Sequence, residues 1–222
     1  IENQIKTNVE KTELNPVAFP VGISVNNVAA HDTCLNNDSR SFNFDTDLIK
    51  IDFGIQKDGI IIDNAFSYSR NNNLQLLIDA SKRIVEKVIG NLKPGVKIIE
   101  IQKIANNTLE EFNTGYGLDF VAISNLAGHQ IKRYLIHADK DQLIYPNCLV
   151  NNDKITEIKG DAFYAIEFFV SNGHEKFPGM ESTEAENTHF MVNKTKLAKL
   201  KKMTIYNQDF DRVRNIIVDN FG

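Results

Sequence analysis

Asp47-Leu-Ile-Lys50-Ile-Asp52-Phe-Gly54-Ile-Gln-Lys57-Asp58-Gly59-Ile-Ile-Ile-Asp63-Asn-Ala-Phe66 is the stretch whose reading decides the fold. Two apolar runs rich in β-branched residues flank a Lys57-Asp58-Gly59 turn signal, the pattern of a β-hairpin. Each run carries one carboxylate where a core strand should carry none. A two-residue Asp-Gly turn sets Gly54 opposite Asp63, with Asp52 diagonal to it on the same face; a four-residue loop sets Asp52 directly against Asp63. Side chains alternate with period two, so either even loop length points both acids to one side of the sheet.

Two carboxylates that close in apolar surroundings repel and lose hydration, so one must be protonated or a cation must lie between them. The plainer reading, solvent-facing acids or a capping role, suits a single strand aspartate. A pair on one face of runs this apolar favours a functional site. A divalent metal held by oxygen ligands resolves it most simply.

Outward from the hairpin, residues 17–31 are small and apolar, with Pro20 and Gly22 expected to break the strand and His31 closing the segment. Residues 36–46 read as a polar loop. Upstream, Ile1, Ile5 and Val9 recur at helical spacing, as at the end of an amphipathic helix. Downstream, residues 72–92 put Leu74, Leu77, Ile78, Ser81, Val85, Val88 and Leu92 on one helical stripe, stopped at Pro94-Gly95. A second helix buries Ile98, Ile101, Ala105, Leu109 and Phe112. Both are expected to be scaffold.

Residues 119–126 read as a strand. Gly128 is expected to bend the backbone just before His129, and His137 follows eight positions on, an even spacing that permits one face without requiring it. After a polar loop over 139–160, Ala162 to Val170 reads as an apolar strand interrupted by Glu167 alone. A glutamate buried there must be paired, protonated or bound to metal. Residues 171–190 are loop-like and hold Glu175, Glu181, Glu184, Glu186 and His189. A helix with five lysines follows over Lys194–Lys202, then an amphipathic segment over 210–221. The lysine run reads as a solvated helix face before it reads as a surface for RNA or a ribosome.

The totals exclude several classes. An apolar fraction of 42% and a charged fraction of 24% are ordinary for a globular protein, and a net charge of −4 gives no bulk attraction for DNA or RNA. Cys34 and Cys148 are too few for a disulfide framework and lack metal-ligand spacing, so a reducing, cytoplasmic setting is expected. No run is long and apolar enough to span a bilayer, and the N-terminus lacks a signal-peptide pattern.

Collected, the chemistry-bearing residues are Asp52, Asp63, His129 and Glu167, with His31 and His137 as further imidazoles. Hard oxygen donors plus one nitrogen suit a divalent first-row ion, and a bridging carboxylate suits two. Paired ions of this kind serve amide hydrolysis.

The segments Ala18-Phe19-Pro20, Ala29-Ala30-His31, Lys50-Ile-Asp52-Phe-Gly54, Ile61-Ile-Asp63-Asn-Ala65-Phe66, Gly128-His129, Ile136-His137-Ala138 and Tyr164-Ala-Ile-Glu167 resemble the motifs of the type 2 methionine aminopeptidases, in the family's order and nearly its spacing. The likeness covers the chain and weakens after about residue 190. It implies an α+β pita-bread fold, a curved antiparallel sheet backed by helices and incomplete at the C-terminus. The implied activity is removal of the initiator methionine from nascent chains with a small second residue. Two divalent ions (manganese, cobalt, iron or zinc) would be held by Asp52, Asp63, His129 and Glu167, with Asp63 bridging and Glu167 also shuttling a proton. His31 would contact substrate, and His137 would stand near the scissile carbonyl. Phe19, Gly22, Ile136 and His189 match the wall of the methionine pocket. Residues 1–194 would be a partial catalytic domain and 195–222 the start of the type 2 helical insertion.

Two departures qualify the resemblance. Ala127 stands where relatives carry asparagine. The family's fifth ligand, a glutamate in a Gln-Phe-Glu-His strand, has no counterpart, and Glu184 and Glu186 lie in a polar loop. The chain is therefore expected to be a piece of a longer protein, to bind metal weakly as it stands, and to be a monomer acting on nascent peptide N-termini. Competing readings are an RNA- or ribosome-binding module of the same fold and an Xaa-Pro peptidase. Retention of the four ligands argues against the module, and comparing Met-Ala with Ala-Pro dipeptides separates the peptidases.

Overall fold

The computed structural model describes residues 3–4, 16–34, 38–146, 156–173, 188–189, 193–202 and 211–215. Most of the N-terminal helix reading, Cys148, and Glu175, Glu181, Glu184 and Glu186 lie outside the described residues. The chain divides into two units, 1–187 and 188–222.

The first unit opens on three antiparallel strands in the order β1-β2-β3: Val17–Val25, Ile49–Lys57 and Ile60–Tyr68. Lys57 pairs with Ile60, so the hairpin loop is the two residues Asp58 and Gly59. Both have positive φ, 52° and 78°, the primed geometry whose twist matches that of the strands it joins. Strand β1 runs through Pro20 and Gly22 instead of breaking there, by slipping register at two irregularities, between Val17 and Phe19 and between Phe19 and Gly22. A proline without an N–H is tolerated in a strand at such a slip.

The hairpin tip is docked. Tyr134 N–H donates to the Gly59 carbonyl at 2.8 Å, and Arg133 Nε donates to the Asp58 carbonyl at 2.6 Å. A Cβ on Gly59 would fall 2.5 Å from the Tyr134 ring. Gly59→Ala therefore combines left-handed backbone strain with a ring clash and is expected to cost about 1–3 kcal/mol. Asp58→Asn, which tolerates positive φ, should stay within about 0.5 kcal/mol of wild type. Urea unfolding of the two variants checks this; equal midpoints would refute it.

Helices α1, Asn72–Ile89, and α2, Ile98–Tyr116, form the backing layer. The Asn71 side chain caps α1 by accepting from Asn73 N–H at 3.0 Å. Gly117, at φ 67°, ends α2 in the left-handed region and donates its N–H to Asn113 O. Asn113 also exchanges two hydrogen bonds with the Phe120 backbone, tying the helix end to the next strand. The face of α2 is the expected one, Ile98, Ile101, Ala105, Leu109 and Phe112 all being buried. The stripe of α1 is largely the expected one, Leu77 and Val88 being buried and Leu74, Val85 and Leu92 packed against the core; Ala80 and Ile84 are buried as well, while Ile78 and Ser81 face a cavity.

Beyond the helices the strands are short. Strand β4, Val121–Ala122, pairs with β8, Val170–Ser171; β5, Gly128–Ile131, lies between β6, Leu143–Ile144, and β7, Phe163–Ala165. All these pairings are antiparallel. The run expected as one strand over 162–170 thus changes partner midway, from β5 to β4, and Glu167 lies in the crossover. The strand expected over 119–126 is correspondingly only two residues long. Phe120, Ala122, Ile144, Ile158 and Phe168 complete the core laid down by the helices. The observed fold is the antiparallel, helix-backed α+β arrangement that the sequence led one to expect.

The second unit contains helix α3, Lys194–Lys202, and a helical segment at 211–215. Among the described residues no helix is long and apolar enough to cross a membrane.

Candidate metal centre

The site is built on the hairpin. Because its loop has two residues, Gly54 pairs with Asp63 and Asp52 with Ala65, which puts both aspartates on one face, diagonally related. Strand β1 adds Gly22 opposite Asp52 and Phe19 opposite Gly54. The Phe19 ring covers Gly54 so closely that an added Cβ would lie 2.2 Å from its Cε1.

Strand β5 brings in His129, whose side chain is 4% exposed. Its Nε2 stands 3.5 Å from Asp63 Oδ2 and 3.7 Å from Glu167 Oε1. Glu167 reaches this position because the crossover between β7 and β8 passes beside Gly128, where an added Cβ would meet Ala165 O at 2.8 Å and Glu167 N at 3.4 Å. Gly128 is absent from the positive-φ glycines, so its function is close approach and not the sharp bend expected from sequence.

His137 joins by a different route from the shared strand face considered above. The chain turns back at Arg133-Tyr134, Lys132 bridges Leu135, and Ala138 N–H donates to Gln130 O at 2.9 Å. The His137 ring then packs edge-on against His129 with centroids 4.3 Å apart. Its pKa is lowered, first by partial burial and then by the neighbouring His129 and His31. The residue keeps an exposed side, which tempers the burial contribution; the direction leaves a neutral ring at pH 7, able to donate a hydrogen bond without carrying charge.

The carboxylates bear the cost of one another. Asp52 is pushed up to about 6 by burial and then by Asp63, against the pull of His31 and His129. Glu167 is pushed up to about 8 by burial, then by Asp63 and Asp52. With 32% of the Glu167 side chain exposed, solvent weakens the burial contribution, and the upward direction rests equally on the two fixed acids. Asp52 Oδ1 is buried without a hydrogen-bond partner, as a group awaiting a cation or an ordered water would be; His129 Nδ1, the ring nitrogen turned away from the acids, is also unpartnered.

A cavity of about 970 Å³ opens along this face, lined by Asp52, Asp63 and Glu167, by Ile78 and Ser81 of α1, and by Lys50. Sequence reading passed over Lys50, which donates to Asn26 O at 2.8 Å and is brought down to about 8 by burial. Its signal was available: a lysine two positions from Asp52 in an apolar strand must share that acid's face. Ile136 is half-buried beside a smaller cavity with Ala18 and Tyr134. His189 belongs to the second unit.

The pattern of Metallopeptidase family M24 matches residues 1–192. The chain belongs to that family. Among M24 relatives it is 31% identical, over its whole length, to methionine aminopeptidase 2 of Encephalitozoon intestinalis, covering 59% of that protein. It is 36% identical over 70% of its length to a methionine aminopeptidase of Saccharolobus solfataricus, covering 48% of it. The chain thus spans about half the length of the curated relatives it matches. A solved M24-like fold, the methionine aminopeptidase of Thermotoga maritima, superposes with a TM-score of 0.56 at 22% identity, over 69% of this chain and 57% of that one. The likeness establishes the pita-bread fold.

Among the described residues no three or more His, Cys, Asp or Glu side chains stand as a ready-made metal cluster. The spacing explains it. Donors sharing one ion at about 2.0–2.2 Å lie roughly 3.0–3.5 Å apart, and here one pair is at that limit and the other just beyond it. The donor types, the orphaned Asp52 Oδ1 and the raised acids nevertheless fit a divalent ion, which Asp52, Asp63, His129 and Glu167 would hold.

These shifts fix a pH dependence. In the ion-free protein Asp52 and Glu167 keep their protons to higher pH when folded than when unfolded. Their stabilisation is complete below about pH 4 and is lost as pH rises through 6 towards 8. Asp38, pushed down to about 2, and Asp139, also lowered, act oppositely but only in acid, while His137, lowered from its ordinary range, opposes the fall up to about pH 6.5. In EDTA the melting temperature should therefore be a few degrees higher at pH 6.5 than at pH 8, and manganese should erase most of that slope. A flat or rising profile would contradict the site's electrostatics.

Proposed function

We propose that this chain carries the metal-binding face of an aminopeptidase that removes the initiator methionine from nascent polypeptides. The observation behind the reading is the convergence of His129 Nε2 on Asp63 and Glu167, with Asp52 on the same sheet face. Names of relatives in the same family lend it support. When bound, divalent ions supply Lewis acidity for the attack of water on an amide carbonyl. The chain's own residues do the rest. Asp52, Asp63, His129 and Glu167 would hold the ions. Glu167 accepts a proton from the attacking water and returns it to the leaving amine. His137, neutral, donates to the carbonyl oxygen as charge develops. His31 contacts the substrate, and Phe19, Gly22 and Ile136 shape the pocket for an unbranched thioether. Residues 1–194 form the catalytic part and 195–222 a helical insertion, and the protein works in the cytoplasm.

The test pairs calorimetric titration with manganese, cobalt, iron and zinc against hydrolysis of Met-Ala-Ser and Ala-Pro peptides. Metal-dependent release of methionine alone supports the proposal. Release from Ala-Pro would reassign the protein to Xaa-Pro peptidases. Absence of ion binding and of cleavage in the full-length protein, with binding to ribosomes, would make it a binding module.

A further inference from the structure

Residue 31 has φ 62°, a left-handed backbone that a histidine rarely holds. Such a conformation persists only where its surroundings over-determine it. On one side Ala29 and Ala30 are buried at 6% exposure each. On the other, Asp32 is held from three directions. Ile23 N–H donates to its carbonyl at 2.6 Å, and Thr33 Oγ1, next in sequence, donates to Val21 O at 3.1 Å. Its carboxylate, 4% exposed, receives Arg40 Nη1 at 2.6 Å and Nη2 at 3.1 Å. The same guanidinium places Nε 3.0 Å from each oxygen of Asp38 and also donates to Asp38 through Nη2.

A carboxylate buried to that degree needs its cation, since a bare one would be driven towards water. Turning Asp32 outward would pull its carbonyl from Ile23 N–H and release the left-handed residue beside it. Among the described residues Arg40 is not part of the cavity lining; what it holds beside the site is Asp32.

We propose that Arg40 is a positioning residue: its two-pronged pairing with Asp32 latches the loop onto β1 and holds the His31 imidazole towards the acidic face. The residues around it bring it there: Ala29 and Ala30 line the cavity together with Asp52, and Ile23, bonded to Asp32, follows Gly22, which pairs with Asp52. The inference deepens the reading of His31 as a substrate-facing group and rests on it, but the latch can be tested without turnover.

The experiment uses the metal-free chain and its Arg40→Ala and Arg40→Lys variants. Amide exchange at Ile23 reads the latch, and the rate of His31 carbethoxylation by diethyl pyrocarbonate, mapped by mass spectrometry, reads the ring. Arg40→Ala should speed exchange at Ile23 by about tenfold or more while Ile51 on β2 is unchanged, the signature of local opening. His31 modification should change by about fivefold or more relative to His129. Arg40→Lys, which keeps the charge without the fork, should fall between. Millimolar guanidinium should return the Arg40→Ala His31 rate towards wild type, which general destabilisation by the substitution would not allow. An unchanged His31 rate alongside faster Ile23 exchange would make Arg40 merely structural and overturn the proposal. Unchanged values for both would remove the latch altogether. If Arg40→Ala fails to fold, the Arg40→Lys comparison decides on the same two rates. Failure of the full-length protein to bind manganese would count against the metallopeptidase reading and leave these rates to judge the latch.

Discussion

Asp63→Asn is expected to weaken manganese binding by on the order of 100-fold or more and, at the same time, to stabilise the ion-free protein near pH 7.5. The loss follows from position. Asp63 Oδ2 is 3.5 Å from His129 Nε2 and shares the sheet face of Asp52, so it stands beside two of the other groups that would hold an ion. Even outer partners of metal ligands are worth 10–100-fold in affinity. The gain follows from charge. Asp63 is the leading charged neighbour raising both Asp52 and Glu167. Asparagine keeps the shape and removes the repulsion, so both acids should titrate nearer their ordinary values and the fall in stability between pH 6.5 and 8 should flatten. Titration calorimetry and thermal unfolding in EDTA read the two effects. Their opposite signs are diagnostic, because a scaffold aspartate would lower stability and leave ion affinity alone. Unchanged affinity, or a lower ion-free melting temperature, would take Asp63 out of the site.

Local signals made the hairpin legible. A turn demanding positive φ at Asp58 and Gly59, with apolar runs on either side, admits few arrangements, and the two-residue option with Gly54 opposite Asp63 is the one adopted. The face of α2 was legible for the same reason, a clean helical period. What escaped was non-local. Glu167 looked like part of one strand because the run from Ala162 to Val170 is uniformly apolar. Only the pairing of its first half with β5 and its last residues with β4 creates the crossover that carries it. His137 reaches His129 through a tight return at Arg133-Tyr134 that even spacing could not distinguish from a continuing strand. Likewise Arg40 lies eight positions from Asp32 across a polar loop, and nothing in the periodicity links them. The departure of Ile78 and Ser81 from the α1 stripe has a related cause: they face the cavity beside the acids, so the helix divides its apolar side between the core and the site.

Gly128→Ala should lower stability by about 1–3 kcal/mol and reduce ion affinity roughly tenfold or more, although residue 128 holds no ligand. Its added Cβ would lie 2.8 Å from the Ala165 carbonyl oxygen and 3.4 Å from the Glu167 nitrogen. Both are backbone atoms, so no side chain can rotate to make room. Either β5 or β7 must retreat by several tenths of an ångström. Strand β5 carries His129 and the crossover that leaves β7 carries Glu167, and their 3.7 Å separation already sits just beyond what one shared ion permits. Widening it costs ion affinity directly, whereas Gly59→Ala strains the far end of the hairpin and should spare affinity to within about threefold. Thermal unfolding should place both variants below wild type, by about 2–4 °C for each kcal/mol lost in a chain of this size. Calorimetric titration with manganese then separates them. Equal ion affinities in the two variants would mean that the approach of the crossover to β5 serves packing alone. Reduced affinity in Gly128→Ala only would tie the geometry of the acids to a glycine that never touches the ion.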